Sequence, residues 1–214
     1  MIRVWGRNTS SNVQMVMWAL AEIGLPCERV DVGGRFSGTD TDAYRAMNPN
    51  RLVPVLQDGD LTLFESAAIV RYLGARYGSD RFWPTDPAVR APLDMWAEWI
   101  KTSFGPHFLG QVFWPLIGQR QAMRDEAALA AAETRLSALA AMLDERLGGN
   151  SGPFLGGEAP CFADVIVGTL LYRYFTLEFQ RSETAALAAY HDRLSRRPAY
   201  AEQVMVSYES LRVS

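Results

Sequence analysis

Pro54 stands directly before an apolar run, in the stretch Met47-Asn48-Pro49-Asn50-Arg51-Leu52-Val53-Pro54-Val55-Leu56. Proline has no N–H to give a strand ladder, so Pro54 can begin or flank a strand but not lie inside one. Asp58-Gly59 then signals a tight turn before a second short run, Leu61-Thr62-Leu63-Phe64. Ile69, Val70, Leu73 and Tyr77 come next at helical spacing, and Ser66, with Glu65 just before it, reads as the helix N-cap. Strand, turn, strand and helix start are thereby set within one segment. The helix N-terminus offers free backbone N–H groups and a dipole that favours a carboxylate.

The residues before this segment add a strand–helix–strand unit. Ile2 and Val4 alternate with Arg3 and Trp5, and Val13, Val16, Met17, Leu20 and Ile23 mark one face of a helix that Gly24 and Pro26 end. Cys27 to Val32 reads as a second strand, which makes a parallel βαβ unit. Asp42 to Asn48 is at most a short helix. The resulting order, β-α-β-α-β-β-α over residues 1–78, is the thioredoxin-like layout. Its polar loop, residues 6–12, lies at the carboxyl end of a strand and the start of a helix, where open α/β sheets bind ligands.

Residues 78–87 break the periodicity and mark a boundary, after which only helix signals remain, so residues 88–214 form an all-helical domain. Val89, Leu93, Trp96 and Ile100 begin a helix that Gly105-Pro106 is expected to kink or restart. Leu129, Ala132, Leu136, Leu139, Leu143 and Leu147 form a packing stripe that Gly148-Gly149 ends. The run Val165 to Phe175 is apolar on nearly every side and belongs at the centre.

The Val53-Pro54 pair and the Glu65-Ser66 pair at this spacing resemble the glutathione-binding half of cytosolic glutathione S-transferases. The loop string Trp-Gly-Arg-Asn-Thr-Ser-Ser-Asn-Val-Gln looks most like the bacterial, theta-like, serine-type members. The resemblance implies a cis Pro54, with Leu52 and Val53 against the cysteinyl backbone of glutathione and Glu65 and Ser66 on its γ-glutamyl end. Thr9, Asn12, Arg35 and Phe36 border the same site by resemblance. A loop hydroxyl would donate to the glutathione sulfur, because the thiolate is the nucleophile and a free thiol has a pKa of about 8.5. Counting four residues back from Gln14, as in serine-type relatives, gives Ser10; Ser11, Thr9 and Asn12 stay open. The family usually has Gly or Lys where Arg51 stands, and Arg51 either meets the glycyl carboxylate or is solvated. Asp164 matches a buried capping box at the core helix, but Cys161 replaces the usual Ser or Thr, a weak acceptor in that place.

The activity this resemblance implies is that of a glutathione transferase, in which the thiolate attacks a small apolar electrophile, with displacement of halide as one route. The second substrate would lie between the halves, against Phe104, His107, Phe108, Gln111 and Trp114. Glutathione-dependent reductase, isomerase or dehalogenase activity and a non-catalytic binding protein are the alternatives. The resemblance also implies a two-fold homodimer through residues 66–77 and the helices after residue 87. A net charge of −3 gives no field for nucleic acid or an anionic membrane. No apolar run approaches the roughly 20 residues of a membrane span. Cys27 and Cys161 are in no metal spacing, and without a signal-peptide pattern the reduced cytoplasm is the expected setting. No metal is expected.

Overall fold

The computed structural model describes residues 1–213. A four-stranded sheet in the order β2-β1-β3-β4 is built from β1 (Ile2–Trp5), β2 (Cys27–Val30), β3 (Val55–Asp58) and β4 (Leu61–Phe64). β1 pairs with β2 in parallel, and antiparallel pairs join β1 to β3 and β3 to β4. Gly59, at φ +59°, turns the β3–β4 hairpin at the Asp58-Gly59 signal. The connecting helices are α1 (Ser11–Ile23), α2 (Asp42–Met47) and α3 (Ser66–Tyr77). Val53–Pro54 is cis. This is the thioredoxin-like arrangement expected, with the second strand two residues shorter at its end.

The rest is helical. α4 runs through residues 87–118, α5 is Glu126–Gly148, α6 Phe162–Gly168, α7 Leu171–Thr176, α8 Ala185–Ser195 and α9 Pro198–Gln203. Asp86 caps α4, its carboxylate accepting from Ala88 N–H at 2.8 Å, with Pro87 at the first helical position. At Gly105-Pro106, where a kink or restart is expected, a π-turn over Ile100–Phe104 ends and α-helical geometry resumes at Gly105 without the chain leaving the helix. Every residue there stays right-handed helical, and the helix absorbs Pro106 and Pro115 through π-turns at Ile100–Phe104 and Phe108–Phe113. Gly105 is required by this geometry, since a Cβ on it would lie 2.7 Å from the Ile100 carbonyl oxygen.

α6 is wholly buried, and α1 packs on it, on α3 and on α9. Gly168 lets the layers close: a Cβ there would meet Leu194 at 2.6 Å and Trp18 at 3.0 Å. Trp18 stands edge-on to Tyr200 at 4.8 Å, and Arg197 grips Glu22 with two nitrogens at 2.9 and 2.6 Å. The α5 stripe is buried at all its expected positions.

The capping box of α6 forms with a sulfur acceptor: Cys161 accepts from the Asp164 N–H, and the Asp164 carboxylate accepts from the Cys161 N–H at 2.9 Å. Oxygen is the better acceptor at this position. Cys161→Ser is therefore expected to stabilise the fold by about 0.5–1 kcal/mol, read as a raised urea midpoint. A lowered midpoint would show that the fit of the larger sulfur outweighs the cap.

Candidate active site

Gly6 ends β1 at φ +154°, and a Cβ on it would lie 2.4 Å from Val13, so glycine lets the loop pass under the first turn of α1. Gln14 fixes that loop, its amide donating to the Asn8 carbonyl at 2.8 Å. Ser10 is the N-cap by backbone geometry, and its carbonyl accepts from Gln14 N–H at 2.9 Å. Its hydroxyl, however, does not cap the helix. Neither it nor the buried Ser11 hydroxyl bonds to any described residue. Both line a cavity of about 320 Å³, within the range of roughly 300–1,000 Å³ common for ligand sites. Two free donors thus stand at the positive end of a 13-residue helix.

The second wall is the loop before β3. Tyr44 OH and Asn48 Nδ2 both donate to the Leu52 carbonyl at 2.8 Å and hold it in place. Arg51 (φ +56°), Leu52 and Val53 line the cavity, with Pro54 buried behind them. Val53 precedes β3, which leaves its backbone outside the ladder.

The start of α3 adjoins the cavity through Asn12, which lines it, while Glu65 and Ser66 themselves do not. Here Glu65, not Ser66, is the N-cap, and it takes the left-handed φ of +70°. Such strain in a non-glycine residue is found where the surroundings impose it, commonly at binding sites. Ser66 is instead the first helical residue, 2% exposed, and its hydroxyl donates to Asn12 Oδ1 at 3.0 Å. Lys101 of α4 crosses over to the same pair, with Nζ 3.1 Å from Asn12 Oδ1 and 3.4 Å from Ser66 Oγ. Burial holds the Lys101 ammonium below its ordinary pKa, against the attraction of Glu65 and Glu98.

The structure does not bring together all the residues expected from the sequence. Phe104 and Phe108 are 0% exposed and pack with Tyr174 in the helical core. His107 points to α5, with Nε2 2.8 Å from the Ala132 carbonyl oxygen. Gln111 is exposed and does not line the cavity. Only Trp114 of that set reaches it, beside Leu109. The cause is the pair of π-turns, which widen each turn and rotate the helix face. The residues facing the loop are Lys101, Gly105, Leu109 and Trp114, spaced four, four and five apart. Leu109, Lys101 and Ser11 also line an adjoining cavity of about 130 Å³. Arg35 lies exposed over the Phe36 ring, 4.7 Å from its centroid, and both stand off the cavity; Gly33, Gly34 and Thr39 line it instead.

Sequence reasoning missed Lys101, Arg7 and Arg173. Arg173, on α7, is 3% exposed; its Nη2 donates to the Thr9 carbonyl at 2.7 Å, and its guanidinium lies over Phe113 at 4.9 Å. An arginine inside an otherwise apolar run was the available signal, because arginine is rarely buried without a purpose. No group of three His, Cys, Asp or Glu that could hold a metal is present among the described residues.

Known proteins match this arrangement over nearly the whole chain. The model for the N-terminal domain of glutathione S-transferases matches residues 5–81, and that for the C-terminal domain matches residues 87–198. Glutathione S-transferase GstB of Escherichia coli strain K12 is 36% identical over 209 residues, which are 96% of this chain and 99% of the relative. The glutathione-bound crystal structure of a theta class glutathione S-transferase from Xanthomonas axonopodis pv. citri is 42% identical, with a TM-score of 0.89 over 96% of this chain and 98% of that one. Glutathione transferase F2 of Populus trichocarpa, 24% identical with a TM-score of 0.83 over 95% and 97% of the two chains, shares the fold. On both family models and on the identity to the Escherichia coli relative, the chain belongs to the glutathione S-transferase family.

Proposed function

We propose that the protein binds glutathione along this cavity and the adjoining start of α3 and presents its sulfur as a thiolate to an electrophile entering beside Leu109 and Trp114. The observation that carries the reading is the convergence on one cavity of two unbonded hydroxyls, Ser10 and Ser11, at the N-terminus of α1. Ser10 is the sulfur's donor. As N-cap it stands half-exposed at the cavity, whereas Ser11 is tucked into the first turn at 7% exposure. Val53 offers its backbone to the cysteinyl unit, and Arg51 lies near enough to that segment to meet the glycyl carboxylate. Glu65 takes the γ-glutamyl amine and Ser66, with the first turn of α3, its carboxylate. The thiolate forms a C–S bond while the leaving group departs with its electron pair and the thiol proton passes to solvent.

The test is the ultraviolet absorbance of the thiolate as glutathione is titrated onto the protein across pH. Ionisation of bound glutathione well below pH 8.5 is the expected result. Binding as an unshifted thiol, or no binding, would leave the scaffold without this chemistry.

Lys101 is the ammonium nearest the γ-glutamyl carboxylate in this reading. Lys101→Met is expected to raise KM for glutathione about 10-fold and to change kcat less, the pattern of lost ground-state binding. An unchanged KM would reduce Lys101 to a bolt between the two halves. The chain divides between residues 78 and 87 into a glutathione-binding unit and a helical unit. It works in the reduced cytoplasm as a homodimer joined through α3 and the start of α4, where Tyr77, Val89 and Met95 are exposed at 37%, 54% and 60%. Sedimentation at micromolar concentration should give the mass of two chains, and the mass of one chain would remove the dimer.

A further inference from the structure

Arg7, Arg51 and Arg173 line the cavity, and no aspartate or glutamate does. Arg7 and Arg173 form no ion pair among the described residues, and the Nε of each is buried without a hydrogen-bond partner. Arg173 is a buried cation and Arg7 a half-buried one; a buried charge without a counter-ion is costly, and so is each orphaned Nε donor, so the two together at one cavity point to an anion the protein does not itself supply.

The two side chains are held for that purpose from opposite sides. Arg7 lies on the bare backbone of Gly33 and Gly34, both at positive φ. A Cβ on Gly34 would come 3.0 Å from Arg7 Cδ, and one on Gly33 would come 3.4 Å from its Nη1. Arg173 reaches across from the helical half, fixed by the Thr9 carbonyl and by the rings of Phe113 and Tyr208 at 4.9 and 6.0 Å. Burial holds Arg173 down to about 10, against the attraction of Tyr208, and the charge of Arg7 nearby lowers it a little further; it is still protonated at neutral pH. A carboxylate would meet two planar forks whose geometry suits it, and would relieve the repulsion as well.

We propose that the electrophile accepted by this site carries a carboxylate or similar anionic group, held between Arg7 and Arg173 while its leaving-group carbon faces the sulfur. This rests on the reading of the cavity as the transferase site. It replaces the purely apolar electrophile expected from the aromatic residues of α4, most of which are in the core. Arg51 is left to glutathione, since it adjoins the Leu52–Val53 segment, whereas Arg173 arrives from the electrophile's side. In the reaction the glutathione sulfur bonds to the α-carbon of a haloacid, the carbon–halogen bond breaks, halide leaves with the electron pair, and the thiol proton goes to solvent.

Chloroacetate and chloroacetamide test this, because they differ chiefly in charge. With saturating glutathione, kcat/KM is measured for each and divided by its uncatalysed rate constant. The acid is expected to gain at least 10-fold more from the protein than the amide. Arg173→Met and Arg7→Met are each expected to lower that acid-to-amide ratio at least 10-fold, and Arg173→Lys, which keeps charge but loses the fork, to lower it less. Arg7→Met serves if Arg173→Met fails to fold. An equal gain for acid and amide, or a ratio unmoved by folded variants, would overturn the proposal. A KM for glutathione that rises as far as the ratio falls would overturn it too, giving the arginines to the glycyl carboxylate. If neither compound is accelerated, thiolate absorbance separates the failures: a shifted thiol overturns only the anionic electrophile, and an unshifted one overturns the transferase reading beneath it.

Discussion

Ser10→Ala is expected to lower kcat/KM at pH 6.5 about 100-fold and to move the inflection of its pH profile upward by one to two units. A free thiol with a pKa of about 8.5 is about 1% ionised at pH 6.5. Each unit of lowering needs about 1.4 kcal/mol of preferential stabilisation of the anion. A hydroxyl donating to a thiolate and the dipole of α1 together supply that amount, and loss of a single donor to a reacting anion commonly costs about 10²–10³ in rate. The pH profile separates this role from a merely structural one. The variant's rate should climb about tenfold per pH unit and approach the unaltered protein near pH 9, where the thiol ionises unaided. Ser11→Ala should cost less than about fivefold, since its hydroxyl is tucked against the first turn. If the two variants exchange effects, Ser11 is the donor. If neither moves the profile, the helix terminus ionises the sulfur without a hydroxyl.

The sequence was legible where local chemistry decides structure, and opaque where tertiary packing does. Pro54, Asp58-Gly59 and the apolar pairs around them dictate a hairpin that the structure contains to within a residue. The start of α3 lay one residue earlier than its N-cap signal, because Glu65 adopts φ +70°, a conformation that sequence patterns assign to Gly or Asn. The cleft face of α4 was misread for a different reason. A period of 3.6 cannot be carried through π-turns, and although Gly105-Pro106 signals an irregularity, nothing in Ile100 to Phe113 announces that it takes the form of two π-turns. Lys101 and Arg173 join α4 and α7 to Asn12, Ser66 and Thr9 across contacts of 35 to 164 residues in sequence, which no local pattern encodes. Their anomaly was visible only as charge inside apolar helices.

Asp164→Asn is expected to cost about 3 kcal/mol of stability, the largest effect of any isosteric change in the helical half. The carboxylate is 0% exposed and accepts from Leu155 N–H at 2.8 Å, Gly156 N–H at 3.0 Å, Cys161 N–H at 2.9 Å and Tyr190 OH at 2.7 Å. Burial pushes its carboxyl up, and the bonds from Cys161, Tyr190, Leu155 and Gly156 pull it back. An asparagine amide has one acceptor oxygen. Its NH₂ must therefore face either the Gly156 and Cys161 N–H groups or the Leu155 N–H and Tyr190 hydroxyl. Tyrosine can rotate its proton away and accept, so the second orientation is the better, and it still orphans the Leu155 N–H at about 1–3 kcal/mol. Loss of charge-assisted bonds to the remaining donors adds about 1 kcal/mol. Tyr190→Phe removes one donor and leaves an anion with three, for about 1.5 kcal/mol. Urea unfolding followed by tryptophan fluorescence reads both, since Trp83 packs on Phe162 of the same helix at 4.7 Å. If Asp164→Asn costs under 1 kcal/mol, the carboxyl is protonated in the folded protein and the network is held by a neutral acid. If the two substitutions are additive in the double variant, Tyr190 and the three N–H groups act separately. A double variant no worse than Asp164→Asn would show that the hydroxyl matters only through the charge it faces.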